Sequence, residues 1–160
     1  KESLKLLAKI GKDCPLFIDN KVKLIKSSGE SYVKFHHKLN FKLLIIYPNQ
    51  SISTKKVFNK LNKFSKISIN KKINLAKKLS LINLCKLYKN DLFAPATRIS
   101  KKIIYLSKML DKLDSILYYS MTGSGSAFFV ICDTKKSLLN IQKMIKKQKK
   151  AFWTTIAKTI

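Results

Sequence analysis

The chain has 160 residues, 46% of them apolar, enough to bury a core in one or two small domains. Its 34 Lys and Arg against 8 Asp and Glu give a formal charge of +26, yet Arg98 is the only arginine and lysine is scattered through every segment. Nucleic-acid readers concentrate arginine and aromatics along a groove, so the even scatter reads as coding bias from an AT-rich genome, and no apolar run approaches the roughly 18 residues of a membrane span.

The chain starts at Lys1, inside a helical pattern that puts Leu4, Leu7, Ala8 and Ile10 on one face, with Gly11 as its cap. It therefore reads as a fragment or processed product. Pro15 forbids helix continuation and biases Cys14 toward an extended backbone. Asp13 falls at this junction, either as a turn residue or as a placed carboxylate. Cys14, beside Pro15, reads as a small buried apolar residue. Cys14, Cys85 and Cys132 are far apart, without a Cys-x-x-Cys, and His36-His37 would point to opposite faces of a strand. Neither a metal site nor a disulfide framework is expected, and a cytoplasmic compartment is.

Residues 22–25 and 32–35 read as strands joined by the turn Ser27-Ser28-Gly29-Glu30. Residues 41–47 are strongly apolar and β-prone, a central strand ended by Pro48-Asn49-Gln50. Ser53 or Thr54 then caps a helix with Val57 and Leu61 on one face. Periodicity alone makes Phe58 a core residue of that helix. Residues 62–70 read as a mobile polar connection, and residues 71–88 as one or two helices broken near Ser80. Asn90-Asp91-Leu92 follows, then an amphipathic helix over 97–111 with Ile99, Ile103, Leu106 and Leu110 in one stripe. Strands at 116–120 and 127–132 are followed by a helix from Asp133-Thr134 through Lys147, with Leu138, Ile141, Met144 and Ile145 inward. Residues 152–156 are a last strand. From residue 41 onward this order predicts an α+β sheet with helices on one face, and a boundary near 38–41.

The two strands at 116–120 and 127–132 enclose Met121-Thr122-Gly123-Ser124-Gly125-Ser126-Ala127, which holds two of the four glycines within three positions. Glycine accepts positive φ and close backbone approach. The stretch reads either as an ordinary hairpin turn or as a loop whose N–H groups and hydroxyls face an anion.

Together, five segments resemble the GHMP small-molecule kinases, in the family's order and at matching spacing. Gly11-Lys12-Asp13-Cys14-Pro15-Leu16-Phe17 is similar to the family's Gly-Ala-Asp-Val-Pro-Phe-Phe. Gly29-Glu30 falls at a Gly-x-Gly-Glu turn. Tyr47-Pro48 with Ser53-Thr54 and Phe58, then Asn90-Asp91-Leu92, match further stretches. Met121 to Ser126 resembles the third motif, commonly Met-Ser-Gly-Ser-Gly.

The resemblance implies that residues 1–40 are the tail of an N-terminal ATP-binding domain. It makes 41–160 the C-terminal domain, a ferredoxin-like α/β sandwich. It makes Asp13 the catalytic base toward a substrate hydroxyl and gives Gly123, Ser124, Gly125 and Ser126 to the ATP phosphates. Thr54 and Phe58 fall at the substrate, with the phenyl ring on a cytosine. ATP and Mg²⁺ are the implied cosubstrates, and no metal site of the protein's own, specific nucleic acid or membrane partner is implied. The matching branch phosphorylates the 2-hydroxyl of a cytidine-diphosphate-linked methylerythritol in the non-mevalonate isoprenoid pathway. Homoserine-type or mevalonate-type kinases are the alternative, opposed by the 48–58 and 90–92 stretches. A basic nucleic-acid-binding module is the remaining one.

Lys12, Cys14 and Ser27 depart from the family pattern without removing a catalytic group. The family's Gly-rich phosphate loop and N-terminal lysine have no counterpart in these 160 residues. The isolated chain is therefore expected to be inactive without the missing N-terminal portion.

Overall fold

The computed structural model describes residues 6, 7, 9–11, 14–18, 22–26, 31–35, 40–65, 78–148 and 152–159. The chain divides into two compact units, Lys1–Asn40 with Asn74–Leu81 and Ile160, and Phe41–Ile73 with Ile82–Thr159.

In the first unit, Gly11 N–H donates to Leu7 O at 3.1 Å and closes the expected helix. Cys14–Phe17 is then a 3-10 turn rather than an extended entry. Pro15 is its second residue, an early position where the missing N–H costs no bond, and Cys14 N–H reaches Gly11 O at 3.1 Å. Cys14 is half-buried, not enclosed. Strands β1 (Val22–Lys26) and β2 (Ser31–Phe35) pair antiparallel, with Val22 opposite Phe35 and Lys26 opposite Ser31. Asp13, the turn Ser27 to Glu30 and His36-His37 lie outside the described residues.

The second unit is built on a four-stranded sheet of β3 (Lys42–Tyr47), β4 (Ile116–Met121), β5 (Phe128–Cys132) and β6 (Trp153–Lys158). Its order is β4-β5-β3-β6, antiparallel throughout. Helices α1 (Thr54–Asn59), α2 (Lys78–Leu87), α3 (Phe93–Thr97) and α4 (Lys101–Leu110) fall between β3 and β4, and α5 (Lys135–Lys146) between β5 and β6. Each crossover thus skips one strand, the split β-α-β arrangement of the ferredoxin-like sandwich.

The core takes sheet residues of one parity. Leu44 and Ile46 of β3 and Phe128 and Val130 of β5 join Val57, Ile103, Leu106, Leu110, Leu138, Ile141 and Ile145 from the helices. Leu43, Ile45 and Phe129, of the other parity, are only half-buried. Alternation along a strand sends successive side chains to opposite faces, so the helices gather on one face, as the pattern predicts. Truncating a fully buried Leu of this cluster to Ala would cost about 2–5 kcal/mol.

The strands match the reading of the sequence to within one or two residues, and the helices depart from it more. The 97–111 helix begins at Lys101, because Ser100 accepts from Ile103 N–H as its N-cap. The residues before it form the short α3, with buried Pro95 inside. Helix α2 also runs through Ser80 unbroken, since one serine in a helix costs only a few tenths of a kcal/mol to about 0.7. Residues 66–77, the rest of the expected connection and helix, lie outside the described residues. Among the described residues, no helix is long and apolar enough to cross a membrane.

Candidate active site

The β4–β5 connection is a hairpin, but not a plain one. Met121 pairs with Phe128 at its base, and Thr122 N–H reaches Ala127 O at 2.9 Å. Gly125 N–H then closes back on Thr122 O at 2.8 Å. Gly123 and Gly125 have φ of +49° and +91°, which L side chains adopt only with strain. A Cβ on Gly125 would also stand 2.6 Å from Met121 Sδ, whereas one on Gly123 would meet nothing within 4 Å. Among the described residues, no hydrogen bond reaches the N–H of Gly123, Ser124 or Ser126. Adjacent amides left open in a tight positive-φ loop, as at Gly123 and Ser124, are the chemistry of an anion nest.

Three elements hold this loop from outside. Asn90 donates its Nδ2 to Met121 O at 2.9 Å and to Gly123 O at 2.8 Å. Ser126, almost fully buried, donates its hydroxyl to Gln50 O. Gln50 is fixed in turn, its Oε1 accepting from Ser100 Oγ at 2.5 Å. Thr54 Oγ1 and Ser124 Oγ lie 2.8 Å apart, an exposed hydrogen bond across 70 residues.

Local chemistry explains how Thr54 is free for that bond. Asn49 follows Pro48 with φ of +48° and turns the chain out of β3. Ser53, not Thr54, then caps α1, its side chain accepting from Lys56 N–H at 3.4 Å. Val57 is fully buried, but Phe58 is 46% exposed. The reading of Phe58 as helix core is therefore wrong. Phe58 follows Thr54 by four residues, so both stand on one face of α1.

Of the residues singled out in the sequence, the structure joins Thr54 to Ser124 of the loop Gly123 to Ser126, with exposed Phe58 one turn along α1 from Thr54. Their roles differ in detail. Ser124 presents its hydroxyl to Thr54, while the hydroxyl of Ser126 is turned inward to Gln50. Asp13 lies outside the described residues.

The sequence counts Asn90 only as part of a family motif beside the site, with no task of its own, and gives Gln50 no role. Asn90 had one local signal, a side chain that caps the N–H two residues on, and its Oδ1 does accept from Leu92 N–H at 2.9 Å. Gln50 acts on the loop through its main-chain carbonyl, so its identity carried no signal. Asp91 accepts both the hydroxyl and the N–H of Ser65. Those bonds, the hydroxyl first, hold its carboxyl below the usual range.

Beside the loop, a cavity of about 620 Å³ is lined by Lys86, Asn90, Asp91, Phe93, Tyr118 and Met121 among others. Burial pushes Tyr118 upward. Tyr119 is raised further by burial and then by Asp111, to which it donates. Both phenols stay neutral near neutral pH, and that of Tyr119 is a donor there.

Known proteins align with this architecture. The family model of the GHMP kinase C-terminal domain matches residues 70–151. A 4-diphosphocytidyl-2-C-methyl-D-erythritol kinase of Pelagibacter ubique is 29% identical over 159 residues, covering 99% of this chain and 55% of that protein. The enzyme of the same name from Buchnera aphidicola is 31% identical over 144 residues, covering 90% and 45%. The one from Wigglesworthia glossinidia brevipalpis is 34% identical over 144 residues, covering 86% and 42%. The chain thus spans about half the length of the curated relatives it matches. A crystal structure of 4-(cytidine 5'-diphospho)-2C-methyl-D-erythritol kinase superimposes with a TM-score of 0.73 at 19% identity, covering 96% of this chain and 56% of that one. The sheet order, the glycine loop and the family match over more than half its length lead to one conclusion: this chain belongs to the GHMP kinases and carries their C-terminal domain.

Proposed function

We propose that this chain supplies the acceptor side and the closing phosphate loop of a kinase. That kinase transfers the γ-phosphoryl group of ATP to the 2-hydroxyl of 4-diphosphocytidyl-2-C-methyl-D-erythritol, in the cytoplasm. Residues 1–40 are the tail of its ATP-binding domain and 41–160 its C-terminal domain. The reading rests on one observation above all. Thr54, on the face of α1 that carries exposed Phe58, is hydrogen-bonded at 2.8 Å to Ser124 of the glycine loop. A nucleobase stack and a phosphate cradle are thereby adjacent, as a substrate joining a cytidine to phosphates requires.

The residues divide the work by their chemistry. Phe58 offers a ring face for stacking on cytosine, and Thr54 a hydroxyl that can turn from Ser124 to a polar edge of the substrate. The N–H groups of Gly123, Ser124 and Ser126 face charge that grows on the phosphoryl oxygens during transfer. Gly125 fits this use, since any side chain there would strike Met121. ATP supplies the phosphoryl group, and Mg²⁺ enters on its phosphates, as is usual for this ion. Asp13 accepts the proton of the attacking hydroxyl as the new P–O bond forms and the bond to ADP breaks. The 160 residues contain no Gly-Gly-Gly-Ser-Ser loop, so the chain alone does not turn over.

Isothermal titration tests the substrate. The cytidine-bearing methylerythritol should bind, and homoserine, mevalonate and a labelled oligonucleotide should not. Binding of either small competitor in its place, or tight and steeply salt-dependent oligonucleotide binding, would overturn the assignment. Turnover of the chain alone would overturn its dependence on an upstream domain. In a protein joined to that domain, Asp13→Asn should lower kcat by about 10²–10⁴-fold.

A further inference from the structure

We infer that Asn90 is the positioning residue of the glycine loop, the group that aims its amides outward. The inference deepens the kinase reading and rests on it for its functional half. The three partners of the Asn90 amide fix its orientation without ambiguity. Its Oδ1 faces a donor, Leu92 N–H at 2.9 Å, and its Nδ2 faces two acceptors, Met121 O and Gly123 O. The reverse orientation would set two carbonyls against an oxygen and an N–H against an NH₂.

The two carbonyls define what the clamp does. Met121 O is at the end of β4, and Gly123 O is two residues on, past the strand. Holding both to one NH₂ group draws the carbonyls of this turn toward Asn90. A carbonyl and the N–H that follows it belong to one planar peptide and point in opposite directions. Fixing Met121 O therefore aims the N–H of Thr122 at Ala127 O, its partner at 2.9 Å. Fixing Gly123 O aims the N–H of Ser124 away from Asn90. Both amide hydrogens of Asn90 are thus spent on the loop, and it is through the loop that they act. The segment that carries it is itself anchored, because Asp91 holds Ser65 by two hydrogen bonds.

Asn90→Asp tests this with little change in shape. The variant keeps the volume and keeps an oxygen for Leu92 N–H, but at neutral pH it sets a carboxylate against two carbonyl oxygens. The first readout is amide hydrogen exchange at Thr122 and Gly125, whose N–H bonds close the loop. Their protection should fall about tenfold or more, the size expected for two lost hydrogen bonds, while protection in α5 stays unchanged. Lowering the pH should restore part of it, because the introduced carboxyl, once protonated, again donates one bond. Such a carboxyl is raised by the facing carbonyls, so the clamp is present in the protonated form and lost as pH rises through its pKa. Asp91→Asn, which leaves both Asn90 donors in place, should not alter exchange at Thr122 or Gly125.

The second readout is titration with Mg²⁺-ATP. Affinity in Asn90→Asp should fall in step with loop protection and recover with it at low pH. Unchanged loop exchange in Asn90→Asp, or a loss that is the same at every pH, overturns the positioning role. Loop exchange that responds as expected while the parent chain and a protein joined to an ATP-binding domain both ignore Mg²⁺-ATP overturns the kinase reading and leaves the clamp standing. If Asn90→Asp does not fold, Asn90→Ser serves for the same exchange measurement. It removes both amide donors without adding charge, and intact loop protection in it overturns the role.

Discussion

In the β4–β5 loop, Ser126 is buried and its hydroxyl is tied to Gln50, two carbonyls are tied to Asn90, and two internal N–H bonds close the turn. On α1, one hydrogen bond away, Phe58 leaves nearly half its surface open and Thr54 is exposed. The loop is fixed by groups from three distant stretches before any ligand arrives. The face of α1 that carries Phe58 stays open. Preorganised amides suit charge that develops during a reaction, since no reorganisation is then needed. An exposed aromatic suits recognition, where burial by the ligand is itself the driving force.

Breaking the loop at its tightest point should give the largest effect. Gly125→Ala adds a Cβ 2.6 Å from Met121 Sδ at a φ of +91°, and thermal or denaturant unfolding should register a loss of about 2–3 kcal/mol. Phe58→Ala should invert that result. Stability should stay within about 0.5 kcal/mol because the side chain is exposed, while titration with a cytidine nucleotide should show a loss of about 1–3 kcal/mol in affinity. A large loss of stability instead would return Phe58 to the core. Ser126→Ala leaves the Gln50 carbonyl without its donor in a buried place and should cost about 1–2 kcal/mol in unfolding. Ser124→Ala, two residues away, removes only an exposed bond and should cost less than about 0.5 kcal/mol.

The smallest expected effect concerns the turn beside the loop. Asp91 has a folded-state pKa below its unfolded value. Its bonds to Ser65 therefore contribute fully above the unfolded pKa and are lost as pH falls through the folded one. Chemical shifts of Ser65 followed by NMR should change on acidification in the parent and stay flat in Asp91→Asn. A parent that is equally flat would show that the carboxylate charge is idle there.

Much of the fold was legible because it depends on local alternation and on caps. Residues 41–47 are apolar at every position but Lys42, and 42–47 form β3, an inner strand of the sheet. Thr134 accepts from Ser137 N–H at the start of α5, where the sequence puts the cap. Leu138, Ile141 and Ile145 are buried as their spacing predicts. The errors came where one local rule met another. Pro15 excludes a continuing α-helix but tolerates the start of a 3-10 turn, and Ser80 resembles a break although a single serine is tolerated within a helix.

The site divides along the same line. Two glycines in three positions announce a loop with positive φ, and they do so from sequence alone because only glycine takes such angles without strain. The sequence also carried the family's motifs in order, and hence its membership. It could not tell which serine of that loop faces outward, since Ser124 and Ser126 differ only in what lies across from them. Nor could it separate Phe58 from Val57 as the core residue of α1, because a six-residue helix has too few turns to define a stripe. Those choices belong to tertiary structure. They rest on contacts between residues 30 to 80 positions apart, Asn90 with Gly123, Thr54 with Ser124 and Gln50 with Ser126, which no local pattern encodes.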